Sequence, residues 1–150
     1  MTAGPYEVRP ITSVPDRRAA FSVRMAVFVD EQGVDPAAEL DAHDHAPATV
    51  HILACEDGRP IGTGRIRPID AATAKIERVA VLRTQRGGGV GRRLMAELEA
   101  QAPAGTVELL IHSQCAVEGF DRTLGYETDS DVFLEEGIDH VRMHKRLTGP

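Results

Sequence analysis

Apolar positions recur along the chain with two different periods, which predict helices and strands. Phe21, Met25 and Phe28 are spaced by four and three residues, the pattern of one apolar helical face. Ser13 has the character of a helix cap at the start of this segment, and Gly33 is expected to end the helix. Further helices are predicted over residues 90–98 and 117–124, and residues 34–47 predict an acidic loop or a broken second helix.

Strands are predicted where apolar and polar residues alternate, or where a short apolar run lies between turn residues. They cover residues 6–11, 50–55, 61–69, 75–82, 107–112, 132–134 and 138–147. Asp57-Gly58 predicts a tight hairpin turn, because both positions accept a positive φ. An early helical region, an antiparallel meander and then two β-α steps predict a mixed α/β (α+β) fold in which helices cover a mixed sheet.

The composition fits one globular domain over residues 1–150. The chain is 42% apolar and 27% charged with a net charge of −6, which disfavours wholesale disorder and the binding of nucleic acid through bulk charge. No apolar run approaches the ~20 residues of a membrane span, and residues 1–10 lack the pattern of a secretory signal. Two cysteines form no disulfide framework. We therefore expect a cytoplasmic protein with no membrane or nucleic-acid partner.

The charges are unevenly distributed along the chain. Residues 30–45 contain six acids and no Lys or Arg, whereas residues 83–93 contain four arginines and no acid. Both segments could be solvated surface, which is the usual role of charge runs. The alternative hypothesis is that the arginine-rich segment binds an anion and that the acidic segment, with Asp41 and Asp44, binds a cationic amine.

The arginine-rich segment contains a glycine-rich loop, Arg86–Arg92, between a predicted strand and a predicted helix. Glycines leave backbone N–H groups accessible, and the N–H groups at a helix start have no intrahelical partner, so the loop can bind a pyrophosphate. No Lys follows as in a phosphate-binding P-loop, and Arg92 stands where a dinucleotide fingerprint needs Gly. The spacing present is Arg-x-x-Gly-x-Gly, from Arg86 through Gly89 to Gly91.

This spacing resembles the acyl-CoA pyrophosphate loop of the GNAT (general N-acetyltransferase) superfamily, which follows a strand similar to Glu77-Arg78-Val79-Ala80-Val81. Gln114 followed by Phe120-Asp121-Arg122-Thr123-Leu124-Gly125-Tyr126 resembles the second landmark of that family. Residues 27–32 and 135–140 are similar to segments of small bacterial members. The resemblance spans about residues 6–147. It implies a splayed, mixed sheet flanked by helices on both faces, with acetyl-CoA as cosubstrate and no metal.

The resemblance also implies which residues hold the cosubstrate. Backbone groups of residues 79–81 would pair with the pantetheine arm, and the amides of residues 87–92 would bind the pyrophosphate. Gln114 would contact the pantetheine or the thioester, with a helix cap or a surface amide as the alternative. The expected contacts are Val79, Ala80, Val81, Arg86, Gly87, Gly88, Gly89, Val90, Gly91, Arg92 and Gln114.

The implied reaction is the direct attack of a small-molecule primary amine on the thioester in a ternary complex. A base must remove the amine proton, and the candidates are His112, Glu77 and Glu31. A structural hydrogen bond for His112 and an ion pair for Glu77 are the alternatives. Asp121 stands where many members of the family carry a Tyr general acid, and an ordinary Asp is ionised at pH 7. The expected acceptor contacts are Glu31, Gln32, Arg65 and His140, with a solvated helix end for Glu31 and an ion pair with an acid for Arg65 as the alternatives.

Two other functions stay open at this point. The missing Tyr is compatible with a catalytically impaired CoA-binding sensor or regulatory module, and the loop alone would suit a nucleotide-binding protein. The sequence does not decide between a monomer and a homodimer. A metal site is not expected, because the His and Asp residues at 41–45 lack a second ligand pair at a recognised spacing.

Overall fold

The computed structural model describes residues 6–147 and contains one eight-stranded sheet with helices on both faces. The strands are β1 (Tyr6–Pro10), β2 (Val50–Glu56), β3 (Arg59–Pro68), β4 (Thr73–Val81), β5 (Glu108–Gln114), β6 (Glu127–Thr128), β7 (Phe133–Glu135) and β8 (Ile138–Arg146). The α-helices are α1 (Val14–Arg24), α2 (Pro36–Glu39), α3 (Val90–Ala100) and α4 (Glu118–Thr123). A π-helical turn (Met25–Glu31) continues α1, and 3-10 turns cover Ala42–His45, Arg83–Gln85 and Cys115–Val117. This is the mixed α/β architecture that the sequence predicts.

The order of strands in the sheet is β1-β2-β3-β4-β5-β8-β6, and β7 also pairs with β8. All neighbours are antiparallel except β4 and β5, which are parallel. The register of β4 and β5 runs only from the Thr73–Glu108 pair to the Ile76–Ile111 pair. Beyond these pairs the two strands separate and leave a gap in the sheet, so the expected splay is present.

A bulge in β4 lies where this gap begins. The register of β3 against β4 shifts between Thr63 and Arg65, so that Gly64 faces two residues of β4. One of the two, Arg78, has a φ of 58°, which non-glycine residues rarely adopt. The bulge therefore bends β4 at the edge of the gap.

Helix α3 covers one face of the sheet with its fully buried residues Leu94 and Leu98. A Cβ added to Gly62 would lie 2.9 Å from Leu94 Cδ1, and one added to Gly64 would lie 2.7 Å from Leu98 Cδ1. Glycines weaken a strand, but here they allow α3 to lie close against β3.

Helix α1 and the π-helical turn cover the other face, where Val23, Val27 and Phe28 pack with Ala80 of β4. The single helix predicted for this region is divided, because the N–H of Gln32 donates to the carbonyl of Val27, five residues earlier. An apolar spacing of three and four residues does not reveal this wider turn.

The acidic segment adopts the broken-helix alternative. Asp35 caps α2 and Asp41 caps the 3-10 turn that follows it, each through its side chain. Between residues 6 and 147, no helix is long and apolar enough to cross a membrane.

Candidate active site

A cavity of about 750 Å³ lies in the gap between β4 and β5. Its walls are these two strands, the loop before α3, the π-helical turn and the hairpin between β7 and β8. The predicted site residues that line the cavity are Gln32, Glu77, Val79, Ala80, Val81, Arg86, Gly87, Gly89, Val90, Gly91, Arg92, His112, Gln114 and His140. Three further predicted site residues, Glu31, Arg65 and Gly88, do not line it.

Strand β4 turns part of its backbone toward the cavity. The N–H of Leu82 donates to the carbonyl of Ile61 at 2.9 Å, so the backbone groups of the neighbouring Val81 point away from β3 and into the gap. The same alternation directs the backbone of Ala80 toward Thr63, its partner in β3. Ala80 thus contributes its side chain to the wall, and the backbone contact predicted for Ala80 is not available.

The loop before α3 has the geometry of an anion site. Gly87 and Gly89 adopt left-handed backbone conformations, with φ of 85° and 87°. Gly89 is the N-cap of α3, and no side chain caps this helix end, so the N–H groups of the first turn are available to an anion. The Arg92 guanidinium lies 5.9 Å from the ring centroid of Phe120 at the same end of the helix. The loop therefore combines backbone donors with positive charge.

Arg86 connects this loop to the π-helical turn. Its guanidinium donates to both carboxylate oxygens of Glu31, at 2.6 and 2.7 Å, and its Nε donates to the carbonyl of Val81 at 3.0 Å. The hydrogen bonds and charge of Arg86 lower the pKa of Glu31. Glu31 is consequently a poor proton acceptor, and the geometry argues against its predicted roles as base and acceptor contact. The carbonyl of Gly88 accepts a hydrogen bond from the Tyr6 hydroxyl at 3.5 Å.

Two histidines and a glutamate form a cluster on the cavity wall. Glu135 Oε1 lies 2.8 Å from His112 Nδ1, and Glu135 Oε2 lies 3.8 Å from His140 Nε2. The carboxylate requires a proton on His112 Nδ1, which leaves Nε2 as a proton acceptor. His140 Nδ1 donates to the carbonyl of Ile138 at 2.7 Å. Phe133 packs edge-on against His112 and is stacked on His140, with centroid distances of 5.1 and 6.0 Å.

Glu135 is a site residue that the sequence analysis misses. The hydrogen bond from His112 lowers the pKa of Glu135, so the carboxylate is ionised and can orient the ring. Glu135 lies 23 residues after His112 in the chain, and only the pairing of both β5 and β7 with β8 brings them together. The strands predicted over residues 132–134 and 138–147 are a partial signal, because residue 135 directly follows the first strand and His140 lies on the second.

Two predicted site amides contact each other. Gln114 Nε2 donates to Gln32 Oε1 at 2.9 Å, with a return contact of 3.5 Å. This pair joins the π-helical turn to the end of β5. It connects a residue expected to contact the cosubstrate, Gln114, with one expected to contact the acceptor, Gln32.

A buried ion cluster lies on the α1 face of the sheet. Arg65 Nη1 donates to Asp44 at 2.7 Å and to Asp41 at 2.9 Å, and Nη2 donates to Glu77 at 3.0 Å. Arg24 donates to Asp44 at 2.6 Å. Asp41 and Asp44 are therefore both paired with arginines, which argues against a cationic amine binding to these two carboxylates. Arg65 is fully buried and is not accessible to an acceptor, so its predicted role as an acceptor contact is not supported.

Glu77 lines the cavity, but its charge is compensated. Arg65, Arg67 and Lys75 lie 3.0, 2.7 and 3.1 Å from its carboxylate oxygens. Burial alone would raise the pKa of Glu77, but the hydrogen bond from Arg67 and the three positive charges outweigh burial and lower it well below the usual range. A carboxylate held in this way does not accept a proton near neutral pH, so the ion-pair alternative describes Glu77 better than the predicted role as base.

Comparison with known proteins tests the resemblance. Residues 19–147 match the family model described as "Acetyltransferase (GNAT) domain". The chain belongs to the GNAT acetyltransferase family. YyaT of Bacillus subtilis, an uncharacterized protein, is 36% identical over 143 residues, which cover 94% of this chain and 96% of YyaT.

Solved structures agree with this GNAT assignment. The crystal structure of Escherichia coli ElaA is 27% identical, covers 93% of this chain and 97% of its own, and superposes with a TM-score of 0.81. A GNAT family acetyltransferase from Elizabethkingia anophelis, with acetyl-CoA bound, superposes with a TM-score of 0.69 at 17% identity, over 97% of this chain and 100% of its own. The latter likeness concerns the fold alone.

The predicted family and fold class are thus confirmed. GNAT acetyltransferases use acetyl-CoA, so acetyl transfer follows from the family. Within residues 6–147, no group of three or more His, Cys, Asp or Glu side chains is arranged to hold a metal ion. The acceptor is not fixed by the family and has to be argued from the cavity.

Proposed function

We propose that the protein is an N-acetyltransferase that transfers the acetyl group of acetyl-CoA to the primary amine of a small molecule by direct attack in a ternary complex. The observation that carries this proposal is the His112–Glu135 pair on the cavity wall, with 2.8 Å between Nδ1 and Oε1. Free amines are largely protonated near neutral pH, so the reaction needs a base at this position.

Acetyl-CoA fits the site in three respects. The amides of Gly87, Gly89 and the first turn of α3 would hold the pyrophosphate, because no side chain caps this helix end. The backbone N–H of Val81, which points into the gap, would donate to the pantetheine arm, while the Val81 carbonyl is held by Arg86. The cavity of about 750 Å³ has the size of a typical ligand site. When bound, acetyl-CoA supplies the thioester that the amine attacks.

His112 accepts the amine proton at Nε2. Glu135 keeps the other ring proton on Nδ1 and compensates the positive charge that the ring acquires, as a carboxylate does in other His-based catalytic pairs. His140 lies beside the second oxygen of Glu135 and packs with the same aromatic ring as His112. The backbone N–H of Val79 or Val81 would stabilise the negative charge that develops on the carbonyl oxygen.

The charges that line the cavity favour an amine acceptor. Glu39 and Glu77 are neutralised, since Arg24 and Arg78 bind Glu39 and three cations bind Glu77. Glu136, in the turn of the β7–β8 hairpin, lines the cavity and forms no ion pair with any residue between 6 and 147. We therefore assign the acceptor entrance to this hairpin. The proposed acceptor contacts become Gln32 and His140, without Glu31 and Arg65.

The test follows the release of CoA thiol from acetyl-CoA with a panel of small primary amines. We expect wild-type protein to release thiol with at least one amine. His112→Gln should lower kcat about 100-fold because it removes the base, while the KM for acetyl-CoA stays unchanged. Glu135→Gln should lower kcat less, since the imidazole remains but loses its orienting charge. His43→Gln is the matched control, because His43 is exposed on the 3-10 turn and does not line the cavity.

Two other results would contradict the proposal. Tight acetyl-CoA binding without thiol release for any amine would support the sensor or regulatory module. Calorimetric binding of ATP or NAD in preference to CoA would support the nucleotide-binding protein.

A further inference from the structure

The cavity proposed for an amine acceptor contains an amine of the protein itself. The sequence has two lysines, Lys75 and Lys145. Lys75 of β4 lines the cavity, and its side chain is 13% exposed. Lys145 of β8 does not line the cavity, and its Nζ donates to both carboxylate oxygens of Glu99 at 3.0 and 3.2 Å. Lys75 is therefore the lysine placed where an acceptor amine would lie.

The side chain of Lys75 extends along the sheet toward the gap. Its backbone lies in the paired part of β4, opposite Leu110 of β5. Its Nζ lies 3.4 Å from Nδ1 of His112, which follows Leu110 by two residues and lies beyond the last β4–β5 pair. Because the proton on this Nδ1 is directed at Glu135, the nitrogen has no lone pair for Lys75. The amine thus lies beside the proposed base without a hydrogen bond to it.

A single carboxylate pairs with Lys75, and this carboxylate stays compensated without it. Glu77 Oε2 lies 3.1 Å from Nζ and is its one ion-pair partner within residues 6–147. Glu77 also contacts Arg65 and Arg67 at 3.0 and 2.7 Å. Loss of the positive charge of Lys75 would therefore leave Glu77 paired with two arginines.

We propose that Lys75 is an internal acceptor, acetylated at Nζ by acetyl-CoA bound to the same molecule. This inference depends on the proposed acetyl transfer in this cavity, but not on a small-molecule acceptor. After the ammonium of Lys75 loses a proton to solvent, the Nζ lone pair forms the C–N bond and the C–S electron pair goes to sulfur. The nitrogen then loses a second proton, which reaches the thiolate through solvent. The products are an amide at Lys75 and the thiol of CoA.

Acetylation of Lys75 would oppose the transfer to a free amine. It replaces a small ammonium by a larger, neutral amide beside His112, in the part of the cavity that the free amine needs. A molecule that holds acetyl-CoA without an acceptor would therefore inactivate itself. A bound acceptor would use the acetyl group first and protect Lys75.

Labelling measures this modification directly. The full chain is made by translation with purified components, without acetyl-CoA, and is then incubated with deuterium-labelled acetyl-CoA and no amine. Peptide mass spectrometry gives the labelled fraction of each lysine. We expect label on Lys75 and not on Lys145. Lys145 is the matched internal control, because its side chain is more exposed, 27% against 13%, so acetylation from free solution would favour Lys145.

Two variants and a dilution series test whether the bound acetyl-CoA is the donor. Gly89→Val, designed to lose CoA binding, should label Lys75 no faster than Lys145. The labelled fraction of the wild type at a given time should not change with protein concentration, because the transfer occurs within one molecule. Lys75→Arg keeps the positive charge, and its guanidinium stays protonated, so residue 75 should carry no label in this variant.

A kinetic arm measures the consequence of the modification. Each protein is kept with acetyl-CoA for increasing times before a free amine that it accepts is added. The rate of thiol release by the wild type should fall in proportion to the labelled fraction of Lys75. Lys75→Arg should keep its own starting rate, and a parallel decline in this variant would refute self-inactivation through Lys75.

The outcomes separate this inference from the proposed function. If the wild type releases thiol with a free amine while Lys75 stays unlabelled, the internal acceptor alone is refuted. Labelling of Lys145 as fast as Lys75, wild-type labelling of Lys75 in Gly89→Val, or a labelled fraction that rises with protein concentration also refutes it. If Lys75 is labelled but no free amine is accepted, the internal acceptor is supported and the small-molecule acceptor fails. If neither reaction occurs, both proposals fail.

Discussion

Replacing Arg65 by Met tests whether this residue supports the fold or binds the acceptor. Its guanidinium is fully buried and hydrogen-bonded to Asp41, Asp44 and Glu77. Removing one partner of a buried ion pair costs about 3–5 kcal/mol, because the remaining charge is buried without compensation. For a domain of this size each kcal/mol corresponds to about 2–4 °C in Tm, so Arg65→Met should lower Tm by about 6–20 °C.

Thermal and urea unfolding measure this effect, with Arg67→Met as the control. Arg67 contacts only Glu77 within the cluster, and Glu77 keeps Arg65 and Lys75 when Arg67 is replaced, so Arg67→Met should lower Tm less than Arg65→Met does. At a temperature where the Arg65→Met protein is folded, the KM for the amine should equal that of the wild type. A variant with wild-type Tm and a raised amine KM would overturn the structural role and restore the acceptor contact.

Three further outcomes are expected. Gly89→Val should abolish CoA binding in calorimetry, because φ is 87° at this N-cap. The control is Gly58→Val at a remote turn with φ of 77°, which should cost a similar strain of about 1–2 kcal/mol and leave CoA binding intact. Equal CoA binding by both variants would refute the anion site. The free energy of unfolding should fall as the pH drops below the ordinary pKa values of Asp44 and Glu77, 3.8 and 4.5, because folding lowers the pKa of both carboxyl groups and their stabilisation is complete only above those values. A free energy of unfolding in urea that is unchanged as the pH falls through this window would contradict the role of the cluster. Gly64→Ala should destabilise the protein by about 1–3 kcal/mol in urea unfolding, because the new methyl group would lie 2.7 Å from Leu98 Cδ1. A variant as stable as the wild type would show that α3 can shift.

Local patterns along the chain predict the elements well. The alternation in residues 50–55 and 61–69 and the Asp57-Gly58 turn correspond to β2, β3 and the hairpin between them. The glycine loop also lies where the sequence places it, before a helix, because turn and cap preferences are local. The π-helical turn is missed because it depends on backbone hydrogen bonds of wider span, such as the one from Gln32 to Val27.

The chemistry of individual side chains is less predictable, because it depends on partners far away in the chain. Glu77 and Arg65 have the residue types of catalytic and acceptor-binding groups, yet each is neutralised by charges that only the folded sheet brings together. Asp121 is the opposite case. Its type suggests an ionised acid, and only the folded structure shows that its side chain is buried beside Ser113.

The four pairs that join β4 to β5 have a consequence for how the molecule moves. Strands β1–β4 form one set of antiparallel hydrogen bonds and β5–β8 form another, so the two halves of the sheet are joined by few strand-to-strand hydrogen bonds although they share one hydrophobic core. Local separation of β4 from β5 breaks fewer hydrogen bonds than the unfolding of either half of the sheet. The gap between β4 and β5 can therefore widen for a bulky acyl-CoA while both halves of the sheet stay folded. A ligand that contacts both strands would raise the stability of the whole molecule by mass action.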